Sequence, residues 1–350
     1  MADAGAARST APGRRRAATV AFSHWRPAYA IASRVLGRSL KLAAFAMVAL
    51  VVLGAAGLLM AHLGIRRELT PLPTVSEVAS AVAEGELPGR LSWLNTAGQT
   101  MPRRQVLDAR RDPAAGRPYR LSHPVFVVEW ADGRMLLVDT GMTPQGALAF
   151  GRPMELMAGA GPMEPVASVA ELLADELPRV GAVVFTHLHE DHVGGMDSLC
   201  AGHGEKVKVF MTEAQAKRPN YLTRAGLRRV SEAPCADMVI LENEGPLLPV
   251  PGYAGVWIIA AGGHTPGSQM VVVRLGAGGS FLLVGDVVNQ ADGIVHGIPK
   301  PLLYRTLIVP EYEQRLVQLR SFARRLEAEA GFEALVSHDQ YQLERLLPRR

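Results

Sequence analysis

Only two cysteines occur in 350 residues, Cys200 and Cys235, and their separation is not that of paired zinc ligands, so a thiolate-held metal site is excluded. A disulfide closing the intervening loop in an oxidising compartment and two free buried thiols both stay open. Acid is nearly absent from the start of the chain: residues 1–41 carry Arg8, Arg14, Arg15, Arg16, Arg26, Arg34, Arg38 and Lys41 against Asp3 alone. No ionisable group at all occurs between Leu42 and Ala61, a run of twenty residues rich in Ala, Leu, Val and Met. At a helical rise of about 1.5 Å per residue such a run crosses a hydrocarbon core of about 30 Å. The spacing therefore predicts a transmembrane anchor over 42–63.

The missing polar face argues against a core helix of a soluble domain. A cleavable signal has a shorter apolar region of about 7–15 residues ending in a small-residue cleavage site. Here Ala55-Ala56-Gly57 lies in the middle of the run, so the anchor is expected to be uncleaved. Arg14–Arg16 stand too far ahead of the run for a twin-arginine export signal. The excess of positive charge on the N-terminal side predicts a cytoplasmic N-terminus and an exported C-terminal domain. The expected location is the bacterial inner membrane, single-pass, with the large domain on the periplasmic or extracytoplasmic side.

The formal net charge of +4 invites a nucleic-acid partner, but the basic excess belongs to the arm before the anchor, so none is expected. With 48% apolar residues the remainder has ample core, and 35 Gly with 24 Pro imply many turns, as in a loop-rich α/β protein. The organisation read from the sequence is a basic arm over 1–41, the anchor over 42–63, a linker and lead-in segment over 64–120, and the main domain over 121–350. Thr74-Val-Ser-Glu77 has the form of a capping box opening a short helix to about Glu84. Leu87–Arg120 offers only short candidate strands among Arg pairs and Pro-Gly breaks, and reads as a segment crossing the domain.

From Pro124 the pattern sharpens. Pro124–Trp130 and Arg134–Asp139 are apolar strands joined through Asp132-Gly133, a hairpin signal. Gly146–Pro165 scatters Phe150, Met154, Met157 and Met163 among Gly and Pro, expected as packing and open as a pocket cover. After Ser168–Leu177, read as a helix, comes Val-Val-Phe-Thr-His187-Leu-His189-Glu-Asp191-His192-Val-Gly-Gly. Alternation along a strand end places His187 and His189 on one face, and Asp191 and His192 follow where the backbone turns. Three imidazoles and a carboxylate suit zinc, and iron or manganese accept the same donors. Further single ligand-type residues stand at later strand ends: His264 in Gly-Gly-His-Thr-Pro-Gly-Ser, Asp286 after Phe281–Gly285, and His338 in Val-Ser-His-Asp after a helix over about Pro310–Ala330. Strands side by side in one sheet would make these ends converge.

His187-x-His189-x-Asp191-His192 resembles the signature of the metallo-β-lactamase-fold hydrolase superfamily, and the resemblance runs from about Pro124 to the C-terminus. It implies an α/β fold, a four-layer αββα sandwich, preceded here by the single N-terminal transmembrane helix. It further implies two divalent metal ions, zinc first, with His187, His189 and His264 on one, Asp191, His192 and His338 on the other, and Asp286 bridging. Asp191 would also orient the attacking hydroxide and take its proton, and Asp139, in Val-Asp-Thr-Gly, would be structural or support a ligand. The β-lactamases of the superfamily lack the bridging carboxylate, so Asp286 points to the lactonase and glyoxalase II branches. Twelve residues after His338 leave no room for the helical glutathione-gripping domain of glyoxalase II. Val287-Val288-Asn289 stands where homoserine lactonases carry a Tyr, which argues against that specificity.

The implied activity is hydrolysis of a small ester, lactone or thioester, a small-molecule substrate, with an iron-dependent non-hydrolytic member, a β-lactamase and a phosphodiesterase as the alternatives. Specificity is expected in loops over 142–165, 211–234 and 287–308; Tyr221, Tyr253 and Tyr304 favour a small apolar ester or lactone, and Lys217, Arg218, Arg224, Arg228 and Arg229 pull the other way, toward an anionic substrate. Of the other histidines, His24, His62, His123, His203 and His296, only His296 is expected near the pocket.

Overall fold

The computed structural model describes residues 26–67, 69–242 and 245–350; the basic cluster Arg14–Arg16 and the rest of the arm up to residue 25 lie outside the described residues. The chain divides into two units, one reaching to Ala56 and one spanning Gly57–Arg350. One helix, Arg26–Arg66, covers the anchor run and extends beyond it at both ends. Its portion Arg38–Arg66 is long and apolar enough to span a membrane, and none of its most apolar window is buried in the protein, unlike a core helix.

In the larger unit, strands β1 (Arg90–Pro102), β2 (Pro118–Glu129), β3 (Met135–Val138), β4 (Glu164–Pro165), β5 (Val180–Val184), β6 (Val207–Thr212) and β7 (Ala236–Leu241) form one sheet in the order β4-β1-β2-β3-β5-β6-β7. Strands β8 (Leu248–Pro249), β9 (Val256–Ala260), β10 (Gln269–Arg274), β11 (Ser280–Gly285) and β12 (Glu333–Val336) form the second, in the order β12-β11-β10-β9-β8. The two-residue period of the strands sorts side chains into layers. Phe126 and Val128 of β2 join Val138, Val184, Phe210, Ile258, Val271 and Leu283 in a core between the sheets. Val125 and Val127 point the other way, onto the helices that carry Leu173, Met196 and Leu199. On the far side Trp257, Ile259, Met270 and Val272 pack against Leu316, Leu319, Ala323 and Leu326 of the helix Glu313–Ala330. Helix, sheet, sheet, helix is the αββα sandwich that the motif implied.

The expected hairpin is present: β2 and β3 pair antiparallel, with Gly133 at φ 90° between them. The capping box Thr74–Glu77 is formed in both directions, but its helix stops at Ala79. The segment read as a linker and lead-in over 64–120 differs most. Its residues Arg90–Pro102 are a long strand inside the sheet, paired with β2 and β4, so the folded domain starts well before 121. Ser92, Asn95, Thr96 and Gln99 hid it by breaking the apolar alternation, yet all four are buried. The last three have fixed partners there: His123 N donates to Asn95 Oδ1 (3.0 Å), Thr96 Oγ1 to the His123 carbonyl (2.8 Å) and Gln99 Nε2 to the Gly161 carbonyl (2.9 Å). Most of the Met- and Phe-bearing stretch 146–165 belongs to a helix, Pro144–Ala158, N-capped by Thr143 and ended by Gly159 in the left-handed region. Cys200, on the helix Met196–Gly202, is disulfide-bonded to Cys235 at the start of β7.

Candidate metal centre

The ends of β3, β5, β11 and β12 and the turn after β9 meet at one edge of the sandwich. β5 stops at Val184, the chain continues through Thr186 and His187, and a single helical turn, Glu190–Val193, carries Asp191 and His192. That turn lies tight on its neighbour, since a Cβ on Gly195 would sit 2.1 Å from the Thr140 carbonyl oxygen. His264 follows β9, Asp286 follows β11, and His338 follows β12.

All seven expected residues come together. His187 Nε2 lies 3.0 Å and His264 Nε2 3.2 Å from His189 Nδ1. Beside this trio, Asp191 Oδ2 is 3.7 Å from His192 Nε2 and 3.5 Å from His338 Nε2. Asp286 stands between, with Oδ1 at 3.4 Å from His192 Nε2 and 3.1 Å from His338 Nε2, and Oδ2 at 3.6 Å from His264 Nε2. Grouped by mutual distance, the donors form His187–His189–His264, His187–His192–Asp286 and His123–Asp191–His338, each within 4.8 Å. The first set is the expected trio; the second set expected is divided, with His123 drawn in.

The outward nitrogens are held by fixed acceptors. His192 Nδ1 lies 2.8 Å from Asp139 Oδ2, His264 Nδ1 2.6 Å from Glu311 Oε1, and His338 Nδ1 2.8 Å from the Ser122 carbonyl. A proton on Nδ1 in each case leaves the Nε2 lone pair for the centre. Asp139 itself sits at φ 64°, a conformation Asp tolerates, and also accepts from Thr186 N and Oγ1 at 2.7 and 2.9 Å. It therefore has the supporting position expected for it.

The charges fit a cation. Burial, then the neighbouring imidazoles, hold His187 well below its ordinary 6.5 and take His189 down to about 3, so both are neutral and ligand-ready. Burial and Lys300 lower His264 as well. Burial pushes Asp191 and Asp286 upward, but the imidazoles around them prevail: His192 first for Asp191, His338 first for Asp286, and both stay ionised. His192 and His338 are raised despite burial, by Asp139 and Asp191 in one case and Asp286 in the other. His192 Nε2 and Asp286 Oδ1, both buried, make no hydrogen bond. Buried lone pairs and carboxylate oxygens without donors, converging at 3–4 Å, are the chemistry of a divalent-metal site.

Several residues of the centre carry no legible motif. His123, passed over in the sequence, is buried, with Nδ1 3.3 Å from Asp191 Oδ2 and its ring edge-on to His338 and Phe150. Lys300 Nζ, also buried, reaches Glu311 Oε1 (2.8 Å) and the Asp286 carbonyl (2.6 Å), tying the Asp286 backbone to the carboxylate partner of His264. The only signal for His123 was its place at the head of the hairpin; for Lys300 and Glu311 there was none. Conversely, His296 is exposed, and Tyr253 is buried between the sheets against Trp130 rather than near the site. Tyr304 is at the site: its ring faces Lys300 Nζ at 5.4 Å. Burial, then the charges of Glu311, Asp286 and Asp191, raise its phenol well above 10.

A fold of this layering with this cluster at the strand ends defines a class of metallo-hydrolases. The chain belongs to the metallo-beta-lactamase superfamily, whose family model matches residues 118–322, more than half of its length. Comparison with curated proteins finds no match. Among solved structures the chain is similar to a variant of AiiA from B. thuringiensis with N-decanoyl-L-homoserine bound at its active site (TM-score 0.56, 16% identity, covering 75% of this chain and 98% of that one). It is similar too to an N-acyl homoserine lactone hydrolase with N-hexanoyl-L-homoserine at its catalytic metal centre (0.56, 17%, 75% and 98%). A quorum-quenching N-acyl homoserine lactone lactonase gives 0.55, 15%, 74% and 95%. At these identities the likeness is one of fold.

Proposed function

We propose that the chain is a membrane-anchored hydrolase of a small ester, lactone or thioester that works with two divalent ions, zinc first among them. The observation that carries this reading is Asp286, whose two carboxylate oxygens face different imidazole sets, as a bridge between two ions requires. His187, His189 and His264 would hold one ion and Asp191, His192 and His338 the other. When bound, the ions supply a water acidified to near-neutral pKa and polarise the substrate's carbonyl oxygen. Asp191, ionised and beside both His192 and His338, would hold a water molecule at this point and accept a proton from it. Tyr304, kept protonated by its surroundings, offers a hydrogen bond to the oxygen on which charge develops. His189 is the least enclosed of the three imidazoles in its set, which marks the side from which substrate arrives.

The lactone class gains support from the products held by the similar structures, and Tyr304 supplies a phenol that the sequence lacks directly after Asp286. The disulfide and the charge ahead of the apolar helix support an exported domain on the periplasmic side of a bacterial inner membrane. Elemental analysis of the purified full chain in detergent, with lactone, thioester, β-lactam and phosphodiester substrates, tests the reading. Two metal equivalents with chelator-sensitive lactone or ester hydrolysis are expected, falling to one equivalent with at least about a hundredfold loss of rate in Asp286→Asn. One iron and no hydrolysis in the unmodified chain would sink it.

A further inference from the structure

The segment that brings Tyr304 to the metal centre has a second face. After Pro301 the chain runs as a short helical stretch, Leu302–Ile308, ending in a π-helical turn, Tyr304–Ile308. Tyr304 turns inward over Lys300, while Leu302, Leu303, Leu307 and Ile308 are exposed, by 47, 68, 58 and 62%. Four large apolar side chains on eight residues are a concentration that water penalises and a partner would cover.

The structure indicates which partner. The C-terminal end of the long apolar helix docks on this segment and on the residues just after it: His62 Nε2 lies 3.0 Å from the Thr306 carbonyl, and the Arg66 guanidinium lies over the Tyr312 ring at 5.4 Å. Ala61 and Ile65, one turn apart, are buried, whereas Leu59, Met60 and Leu63 stay exposed. The outward apolar surface of the helix end thus continues onto Leu302–Ile308 through a direct contact. Arg66 and Arg67 close the helix at the same level, where a cation meets anionic headgroups.

We propose that Pro301–Ile308 is a membrane-contact lip of the active site, whose four apolar side chains enter the lipid surface of the bilayer that the helix spans. The substrate is then an amphiphile that keeps its apolar chain in the bilayer while its ester or lactone group passes Tyr304 to the metals. The lip rests on the reading of Arg38–Arg66 as a bilayer span, and its substrate half on the hydrolase reading.

The test uses full-length protein reconstituted in phosphatidylethanolamine–phosphatidylglycerol vesicles, with an environment-sensitive fluorophore on single added cysteines, the native pair being bonded. Label on Leu303→Cys, and independently on Leu307→Cys, is expected to show blue-shifted emission, quenching by doxyl-labelled lipid and loss of iodide quenching, as does label on Val52→Cys within the helix. Label on Arg228→Cys should remain iodide-quenched. If positions 303 and 307 behave like 228 while 52 is in lipid, the lip is overturned and the anchor stands. If 52 is also quenched by iodide, anchor and lip fall together. For the substrate half, the combined changes Leu303→Ser and Leu307→Ser should raise KM severalfold for a long-acyl ester presented in vesicles and leave a short water-soluble ester unchanged. Equal effects on both esters, or none on either, would overturn it.

Discussion

At the scale of single residues, the candidate centre depends as much on what stands behind its ligand-type side chains as on those side chains. Asp139 accepts from Thr186 N, Thr186 Oγ1 and His192 Nδ1 together, so its carboxylate fixes both the strand-end turn and the tautomer of His192. Asp139→Asn keeps the shape but no longer presents two anionic oxygens to these donors. Metal affinity is expected to fall by about 10–100-fold, measured by competition with a chromophoric chelator, while secondary structure is retained. An unchanged affinity would mean that His192 is oriented by its own backbone. Glu311 and Lys300 brace His264 and the Asp286 backbone in the same way, with the added feature of a buried ion pair. Burial alone would raise Glu311, but Lys300 and His264 together overcome it and lower its pKa, so the carboxylate stays an acceptor for His264.

At the scale of elements, the helix Glu313–Ala330 covers the outer face of the second sheet and ends in Gly331 at φ 67°. Glu327 lies in its last turn, where the helix dipole disfavours an anion, and burial raises its pKa above the ordinary 4.5. A carboxyl whose folded pKa exceeds its unfolded one lowers stability at pH above the folded value, and that cost vanishes below the unfolded value. Glu327→Gln retains an oxygen for Ala334 N, which now donates to Glu327 Oε1 at 3.2 Å. It should raise thermal stability at neutral pH by about 0.3–1 kcal/mol, with the gain disappearing as pH drops through 4.5. Calorimetry across that range decides it; a gain independent of pH would assign the effect to packing. The strand Arg90–Pro102 shows the limit of periodicity at this scale, because its buried Asn95, Thr96 and Gln99 find partners 27 to 62 positions away.

At the scale of the whole molecule, an apolar helix with none of its apolar window buried precedes an αββα domain. Its exposed leucines and valines would cost about 0.8 kcal/mol per CH2 in water, so the full chain should stay with membranes through an alkaline carbonate wash. Release into the soluble fraction would show that the helix is sheathed by protein instead.

Much of this was decided locally. Hydrophobic run length, the capping box Thr74–Glu77, the Asp132-Gly133 hairpin and the spacing from His187 to His192 each act through a few covalently linked residues, and all are in place. The seven ligand-type residues were legible because each closes a strand or lies in the turn after one, and a sheet brings such ends to one edge. Tertiary structure alone decided that Arg90–Pro102 is a strand inside the sheet, that His123 joins Asp191, that Lys300 and Glu311 stand behind His264, and that the Thr306 carbonyl meets His62 at the end of the long helix. The physical reason is that burying a polar or charged group is stable only with a partner, and here those partners come from distant parts of the chain.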